Sequence, residues 1–125
     1  MIVGVGTDVV SIPRVADALE RWGERFVTRI LTPEERVRYA HTRQKASHLA
    51  KRFAAKEAFA KAIGTGIRSP FRWHCVSVGR DARGKPGLVP SADMARHLAD
   101  IGVTTSHLSL TDDAGVAMAF VVLEG

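Results

Sequence analysis

The sequence predicts an α+β fold, a small and mostly antiparallel sheet with helices on one side. Three observations predict it. The elements read in the order strand, three helical stretches, hairpin, helix, hairpin, so helices and strand pairs are segregated. Good caps and glycine stops punctuate the helices, at Ser11, Gly23, Thr32, Gly64, Ser91 and Gly102. The 125 residues hold no repeat, low-complexity tract or linker, so residues 1–125 are expected to form a single domain around one core.

The first strand spans Ile2 to Val10. Alternation puts Gly4, Gly6 and Asp8 on one face and Val3, Val5, Thr7 and Val9 on the other. Glycines inside a strand mark close approach of another backbone or a ligand. Asp8 ends that bare strip among valines, which makes it either a ligand-binding carboxylate or a cap for the next helix.

Ser11 and Pro13 open a helix that runs to Trp22, with Val15, Leu19 and Trp22 as its inward stripe. Arg14 and Arg21 lie outward, and Arg25 and Arg29 continue the basic run past Gly23. These arginines are either a solvated face or a strip for docking an acidic surface. Thr32-Pro33-Glu34-Glu35 is a capping box. It starts a helix with Val37 and Ala40 on one side, and a kink or loop near Thr42 to Ser47 follows, with Ser47 as a candidate N-cap.

The central stretch, Arg52-Phe53-Ala54-Ala55-Lys56-Glu57-Ala58-Phe59-Ala60-Lys61-Ala62-Ile63-Gly64, reads as a helix stopped by Gly64. Its surface is mostly Ala, Phe and Ile, so protein is expected to cover most of it. Glu57 and Lys61 stack on one stripe with Ala50 and Ala54, whose small side chains would leave room beside the charges. A surface ion pair worth about 0.2–0.5 kcal/mol explains the two charges as well as a site does, from this helix alone.

Gly64-Thr65-Gly66-Ile67-Arg68-Ser69-Pro70 is a loop whose N–H groups near Gly64 and Gly66 are a weak candidate phosphate cradle. A hairpin follows, from near Trp73 to Gly79, through a turn at Asp81 to Pro86, and back from Gly87. Ser91 caps a helix that Gly102 ends. Val103 to Thr111 is a strand with Leu108 and Leu110 on one face and His107, Ser109 and Thr111 on the other. Asp112-Asp113-Ala114-Gly115 reads as the turn into Val116 to Leu123, an apolar strand with little clean alternation, as expected if both its faces are covered.

Composition narrows the function. A net charge of +5 and a pI near 10 favour acidic partners. No apolar run approaches the ~20 residues of a membrane span, so no membrane partner is expected. Met1 to Gly6 lacks a basic leader, and Cys75 is alone, so neither a disulfide nor a cysteine zinc site arises; the expected location is cytoplasmic. Aromatics are scarce and no basic-aromatic pattern suits base stacking, so no nucleic acid is expected. None of the five histidines has metal-helix spacing with another. Asp8 and Glu57 are the carboxylates that look buried. Two carboxylates from separate elements, completed by water, are the usual way to hold Mg²⁺ for phosphate chemistry, with Lys61 in reach of a phosphate. A basic binding module and a Mg²⁺-dependent phosphohydrolase remain open on these grounds; the hydrolase usually clusters more carboxylates.

Two segments carry a resemblance. Gly4-Val5-Gly6-Thr7-Asp8 and the run from Arg52 to Ala62 resemble the two signatures of the phosphopantetheinyl transferases, and the short chain resembles their holo-acyl-carrier-protein-synthase branch. Phe26 to Thr32, Gly64 to Ile67, Gly84-Lys85-Pro86 and His107 to Thr111 match in the same order. The resemblance implies transfer of 4′-phosphopantetheine from coenzyme A to a serine of apo acyl carrier protein, with release of adenosine 3′,5′-bisphosphate, in fatty-acid or polyketide synthesis. It implies Mg²⁺ on Asp8 and Glu57, and catalytic roles for Glu57 and Lys61. It implies a grip on coenzyme A by Arg52, Phe53, Gly64, Gly66, Lys85 and Pro86, with His107, Ser109 and Thr111 contributed by a neighbouring subunit of a homotrimer. Arg14, Arg21 and Arg25 would dock the acidic helix of the carrier protein. Many relatives have histidine where this chain has Asp112, so Asp112 stands as a catalytic candidate of different chemistry, with Asp113 as a second candidate for the vacancy.

Overall fold

The computed structural model describes all 125 residues, Met1 to Gly125. β1 (Ile2–Ser11) runs directly into α1 (Ile12–Trp22), followed by α2 (Glu24–Ile30), α3 (Pro33–Tyr39) and the long α4 (Lys45–Ala62). The hairpin β2 (Val76–Arg80) and β3 (Pro86–Pro90) leads through α5 (Ala92–Asp100) to the hairpin β4 (Thr105–Asp113) and β5 (Val116–Glu124). Every strand pair is antiparallel, in a three-stranded sheet of order β1-β5-β4 and a separate β2-β3 pair. The fold is α+β as predicted, with its strands in two sheets.

The caps act as the sequence predicts. Ser11 Oγ accepts from the Arg14 N–H, Ser91 Oγ accepts from the Met94 N–H, and Thr32 with Glu35 completes the reciprocal capping box. Gly64, at φ 86°, takes the left-handed position beyond α4.

The core explains where the site sits. Helix α4 lies across one face of the three-stranded sheet, burying Ala54, Ala58, Phe59 and Ala62 against Ala119, Val121 and Leu123. Each fully buried large apolar side chain contributes about 1.5–3 kcal/mol. A second cluster, with Val15, Val27, Ile30, Leu31 and Leu49, seats α1, α2 and α3 on the other part of α4. The glycine face of β1 permits the close packing: a Cβ at Gly4 would overlap the Ala62 carbonyl oxygen, and one at Gly6 the Ala58 carbonyl oxygen. The backbone that approaches these glycines is therefore that of α4. Two strand residues advance about 6.6 Å and four helix residues about 6 Å, so strand and helix stay in step. The same step brings Asp8 level with Ala54, beside Phe53 and Glu57, and the long Lys61 side chain reaches back to it.

Several local expectations are corrected. Residues 24–30 are a helix that the sequence did not signal. Trp22 is half exposed, so α1 buries Val15 fully and Leu19 partly. Helix α3 turns Glu35 and Tyr39 inward and leaves Val37 and Ala40 exposed, because its capping-box carboxylate is wanted inside. Helix α4 begins at Lys45 after Gln44, and Ser47 lies within its first turn, donating to the Gln44 carbonyl. Ala50 and Ala54 are fully covered, so the space beside the charged stripe is confined to its Glu57 end. Strand β4 continues through Asp113, and the turn is Ala114-Gly115, both at positive φ as a two-residue type I′ hairpin requires. Strand β5 alternates cleanly: Ala117, Ala119, Val121 and Leu123 are buried, while Met118 and Phe120 are exposed. Within one chain, only the α4 side of this sheet is covered.

Candidate active site

Asp8 at the end of the glycine strip meets α4 from the side. Lys61 Nζ donates to the Thr7 carbonyl at 2.9 Å and to Asp8 Oδ1 at 3.2 Å. Lys61 thus turns to Asp8, and Glu57, expected as its helical partner, carries no ion pair. Burial raises the Glu57 carboxyl above its ordinary pKa, the charge of Asp8 raises it further, and Lys61 opposes both. Two carboxylates side by side at an open cavity, one of them disfavoured by the charge of the other, fit a shared divalent cation. They are two acids only, as no group of three or more His, Cys, Asp or Glu side chains is placed to hold a metal.

The cavity at this corner is about 400 Å³ and is lined by Asp8, Ser11, Arg14, Phe26, Phe53 and Glu57 among others. Phe26 and Phe53 also line an adjoining apolar groove of about 760 Å³, with Trp22, Trp73, Arg25 and Arg29. Phe53 stacks on Trp73 at 4.9 Å between ring centroids and tilts against Phe26 at 6.4 Å. The acid corner therefore opens into an aromatic trough with arginines on its rim. Arg14 lies at the acid end, Arg25 in the trough and Arg21 on the exposed last turn of α1.

Arg52 is five residues before Glu57, about 140° round the helix, and faces elsewhere. It is 2 % exposed and lines a polar cavity of about 640 Å³ with Arg38, His48, His74, Ser77 and Arg80. Arg52 Nη1 and His48 Nε2 are buried without a hydrogen-bond partner. Burial first, and then Arg80, push the Arg52 guanidinium down to about 10; burial and Arg52 hold His48 at about 3, so its ring is neutral. Asp112 stands near this second region, 4.0 Å from Lys51, in a cavity that His48 and Arg80 also line.

The other candidates are placed apart from Asp8. His107, Ser109 and Thr111 are exposed on the uncovered face of the sheet, where His107 Nε2 and Glu124 Oε1 lie 3.0 Å apart. Lys85 is exposed at the end of the β2–β3 turn, and Pro86 begins β3. The Gly64 and Gly66 N–H groups donate to the Lys61 and Ala60 carbonyls, so they close the helix and do not form a free phosphate cradle. One chain thus brings together Asp8, Glu57, Lys61, Phe53 and Arg14. It does not bring Arg52, Asp112 or the His107 face to them.

Sequence reasoning missed two residues. Glu35, 4 % exposed, is the most deeply buried carboxylate, and Lys56, fully buried, donates to it at 2.6 Å. Lys56 had a usable signal, one more charge beside Arg52, Glu57 and Lys61 on an otherwise apolar stretch of helix. Glu35 was hidden by its capping-box role, which explains a glutamate there by itself.

Comparison with known proteins identifies the family and the fold. Residues 4–121 match the 4′-phosphopantetheinyl transferase superfamily. The holo-[acyl-carrier-protein] synthase of Thiobacillus denitrificans is 48% identical over 124 residues, covering 99% of this chain and 95% of that protein. The crystal structure of the synthase from Neisseria meningitidis superposes with a TM-score of 0.96 at 42% identity, covering 100% of both chains. That of the Bacillus anthracis synthase, in complex with CoA (3′,5′-ADP), superposes at 0.84 with 36% identity, covering 100% of this chain and 98% of that one. With both signature segments converging on one corner, this chain belongs to the 4′-phosphopantetheinyl transferase superfamily, in its holo-[acyl-carrier-protein] synthase branch.

Proposed function

We propose that this enzyme transfers 4′-phosphopantetheine from coenzyme A to a serine hydroxyl of an apo acyl carrier protein, with Mg²⁺, and releases adenosine 3′,5′-bisphosphate. The observation that carries the reading is that Asp8 and Glu57 line one cavity while Lys61 bonds to Asp8. Asp8 and Glu57 would hold the Mg²⁺, which when bound supplies positive charge to the diphosphate. The Lys61 ammonium lies on the same side and offsets charge on the departing phosphate. The serine oxygen attacks the phosphorus that bears pantetheine. The bond to the bisphosphate oxygen breaks, and the serine proton passes to Glu57 or to a water held beside it.

The remaining candidates complete the site in a homotrimer. The uncovered sheet face, with Val5, Val9, Met118 and Phe120 exposed, is apolar enough to be an interface. A neighbouring subunit would then bring His107, Ser109, Thr111, Asp112 and the Arg52 cavity to the coenzyme, and the unpartnered Arg52 Nη1 favours an anionic group there. Phe53, Gly64, Gly66, Lys85 and Pro86 would flank the coenzyme from their own chain. Arg14, Arg21 and Arg25 would meet the acidic helix of the carrier around the aromatic trough. No helix is long and apolar enough to cross a membrane; a cytoplasmic location and service to fatty-acid synthesis belong to the same proposal.

The test is incubation with coenzyme A, Mg²⁺ and apo carrier protein. A mass gain on the carrier equal to one phosphopantetheinyl group is expected. An unmodified carrier, with or without hydrolysed coenzyme, would overturn the reading.

A further inference from the structure

The polar cluster around Lys56 has no part in the chemistry above, yet it is the most completely bonded group in the molecule. Lys56 Nζ donates to Glu35 Oε1 at 2.6 Å, to the Ile30 carbonyl at 2.7 Å and to the Trp73 carbonyl at 2.7 Å. Glu35 Oε1 also accepts from the Thr32 N–H, and Oε2 from the Val78 N–H, each at 2.9 Å. All three ammonium hydrogens are therefore used. Two of them go to segments that build the trough: Ile30 ends α2, which carries Arg25, Phe26 and Arg29, and Trp73 stacks on Phe53. Stability alone is a weak reason for such a cluster, because a buried ion pair is often matched or bettered by apolar side chains of similar volume. What apolar side chains do not supply is directional bonding to two carbonyls.

We propose that Lys56 is a positioning residue for carrier engagement: its ammonium pins the Ile30 and Trp73 carbonyls and so sets the spacing of the trough's two walls beside the acid corner. The distance from Phe53 to Trp73 and the rim of Arg25 and Arg29 follow from that anchor. Lys56 touches neither the coenzyme nor the reacting atoms. Phe53 also flanks the coenzyme and Glu35 lines the Arg52 cavity, so loss of Lys56 acts on the carrier more than on the coenzyme. This rests on the docking reading of the trough given above.

The test replaces both partners together, Lys56→Met with Glu35→Met, so that no buried charge is orphaned, and uses Glu35→Gln as a milder companion. Each is made in the full-length enzyme, with a parallel Trp22→Phe set in which Trp73 is the one tryptophan. The expected result is a KM for apo carrier protein raised roughly tenfold or more, since small misplacements cost large factors, with a clearly smaller rise in KM for coenzyme A. Trp73 emission should shift in the same variants. Folded variants with unchanged carrier KM and unchanged Trp73 emission would overturn the proposal, and so would equal rises in both KM values. If neither variant folds, the cluster is scaffold only and the proposal is equally overturned. If the unmodified enzyme alters no carrier, the docking reading and the carrier half of this proposal fall. Trp73 emission then decides separately whether Lys56 sets the trough wall.

Discussion

Two lysines of α4, five residues apart, each sit beside carboxylates and live under opposite rules. Lys56 is sealed in protein with every hydrogen engaged, and its carboxylate, Glu35, is equally satisfied. Lys61 is half exposed; it meets Asp8 at 3.2 Å and leaves Glu57 unpaired. The first arrangement is finished and fixes the positions of other segments. The second is unfinished: it holds two negative charges that one lysine does not balance. That residual imbalance is what the proposed cation and diphosphate would answer, and the fixed cluster at Lys56 lies five residues away on the same helix. Identical residue types therefore do not reveal role; the completeness of their bonding does.

The sharpest way to break the contrast is to remove the open carboxylates. Asp8→Ala or Glu57→Ala is expected to lower turnover by about 10²–10⁴-fold or more, with the thermal midpoint unchanged or raised, because each removes a cation ligand and Glu57→Ala also removes the proton acceptor. Intact-mass kinetics on the carrier and a melting curve check this. Near-normal turnover in either variant would put the chemistry elsewhere. The closed pair should behave inversely. Lys56→Ala is expected to destabilise by about 3–5 kcal/mol, because Glu35 is left buried and uncompensated. Denaturant unfolding measures that.

The contrast also has a pH signature. Glu57 has its carboxyl pKa raised in the folded chain, so it contributes stability below the ordinary carboxylate range and loses it as pH rises through the raised value. Without divalent ion, Glu57→Gln should therefore raise the melting temperature at neutral pH and do little at pH 4. Mg²⁺ should stabilise the unmodified chain more at pH 8 than at pH 5. Equal stabilisation at both would separate Glu57 from the ion. A smaller effect is expected on the surface: reversing Arg14 and Arg21 to Glu should raise KM for the carrier severalfold, steeply with falling salt, and leave KM for coenzyme A alone. For Asp112, close to Lys51 and away from the acid corner of its own chain, Asp112→Ala is expected to cost less than Glu57→Ala, and Asp112→His to restore activity.

The parts of this molecule that the sequence discloses are those where local pattern and tertiary demand coincide. Period-two alternation placed Gly4, Gly6 and Asp8 on one face, and that face is where α4 packs. Gly64 had to stop a helix, and it does. What stayed hidden depended on partners distant in the chain. Helix α2 is short, starts at Gly23 without a side-chain cap, and owes its form to Val27 and Ile30 entering the core. Glu35 showed its capping role and concealed its bond to Lys56, 21 residues away. Glu57 and Lys61 read as partners by helical spacing, but Asp8 competes for the lysine across the sheet. The separation of Arg52 from Glu57 was readable from helical geometry, five residues being far from a whole turn, yet both belong to one signature and so invite one location.

The proposed chemistry requires Asp8 and Glu57 to share a cation. Crystals grown with coenzyme A and Mn²⁺, measured at the manganese edge, test this directly. A single anomalous peak within bonding reach of both carboxylates is predicted. A peak bound to neither, or one at Asp112 with the Asp8 corner empty, would contradict it.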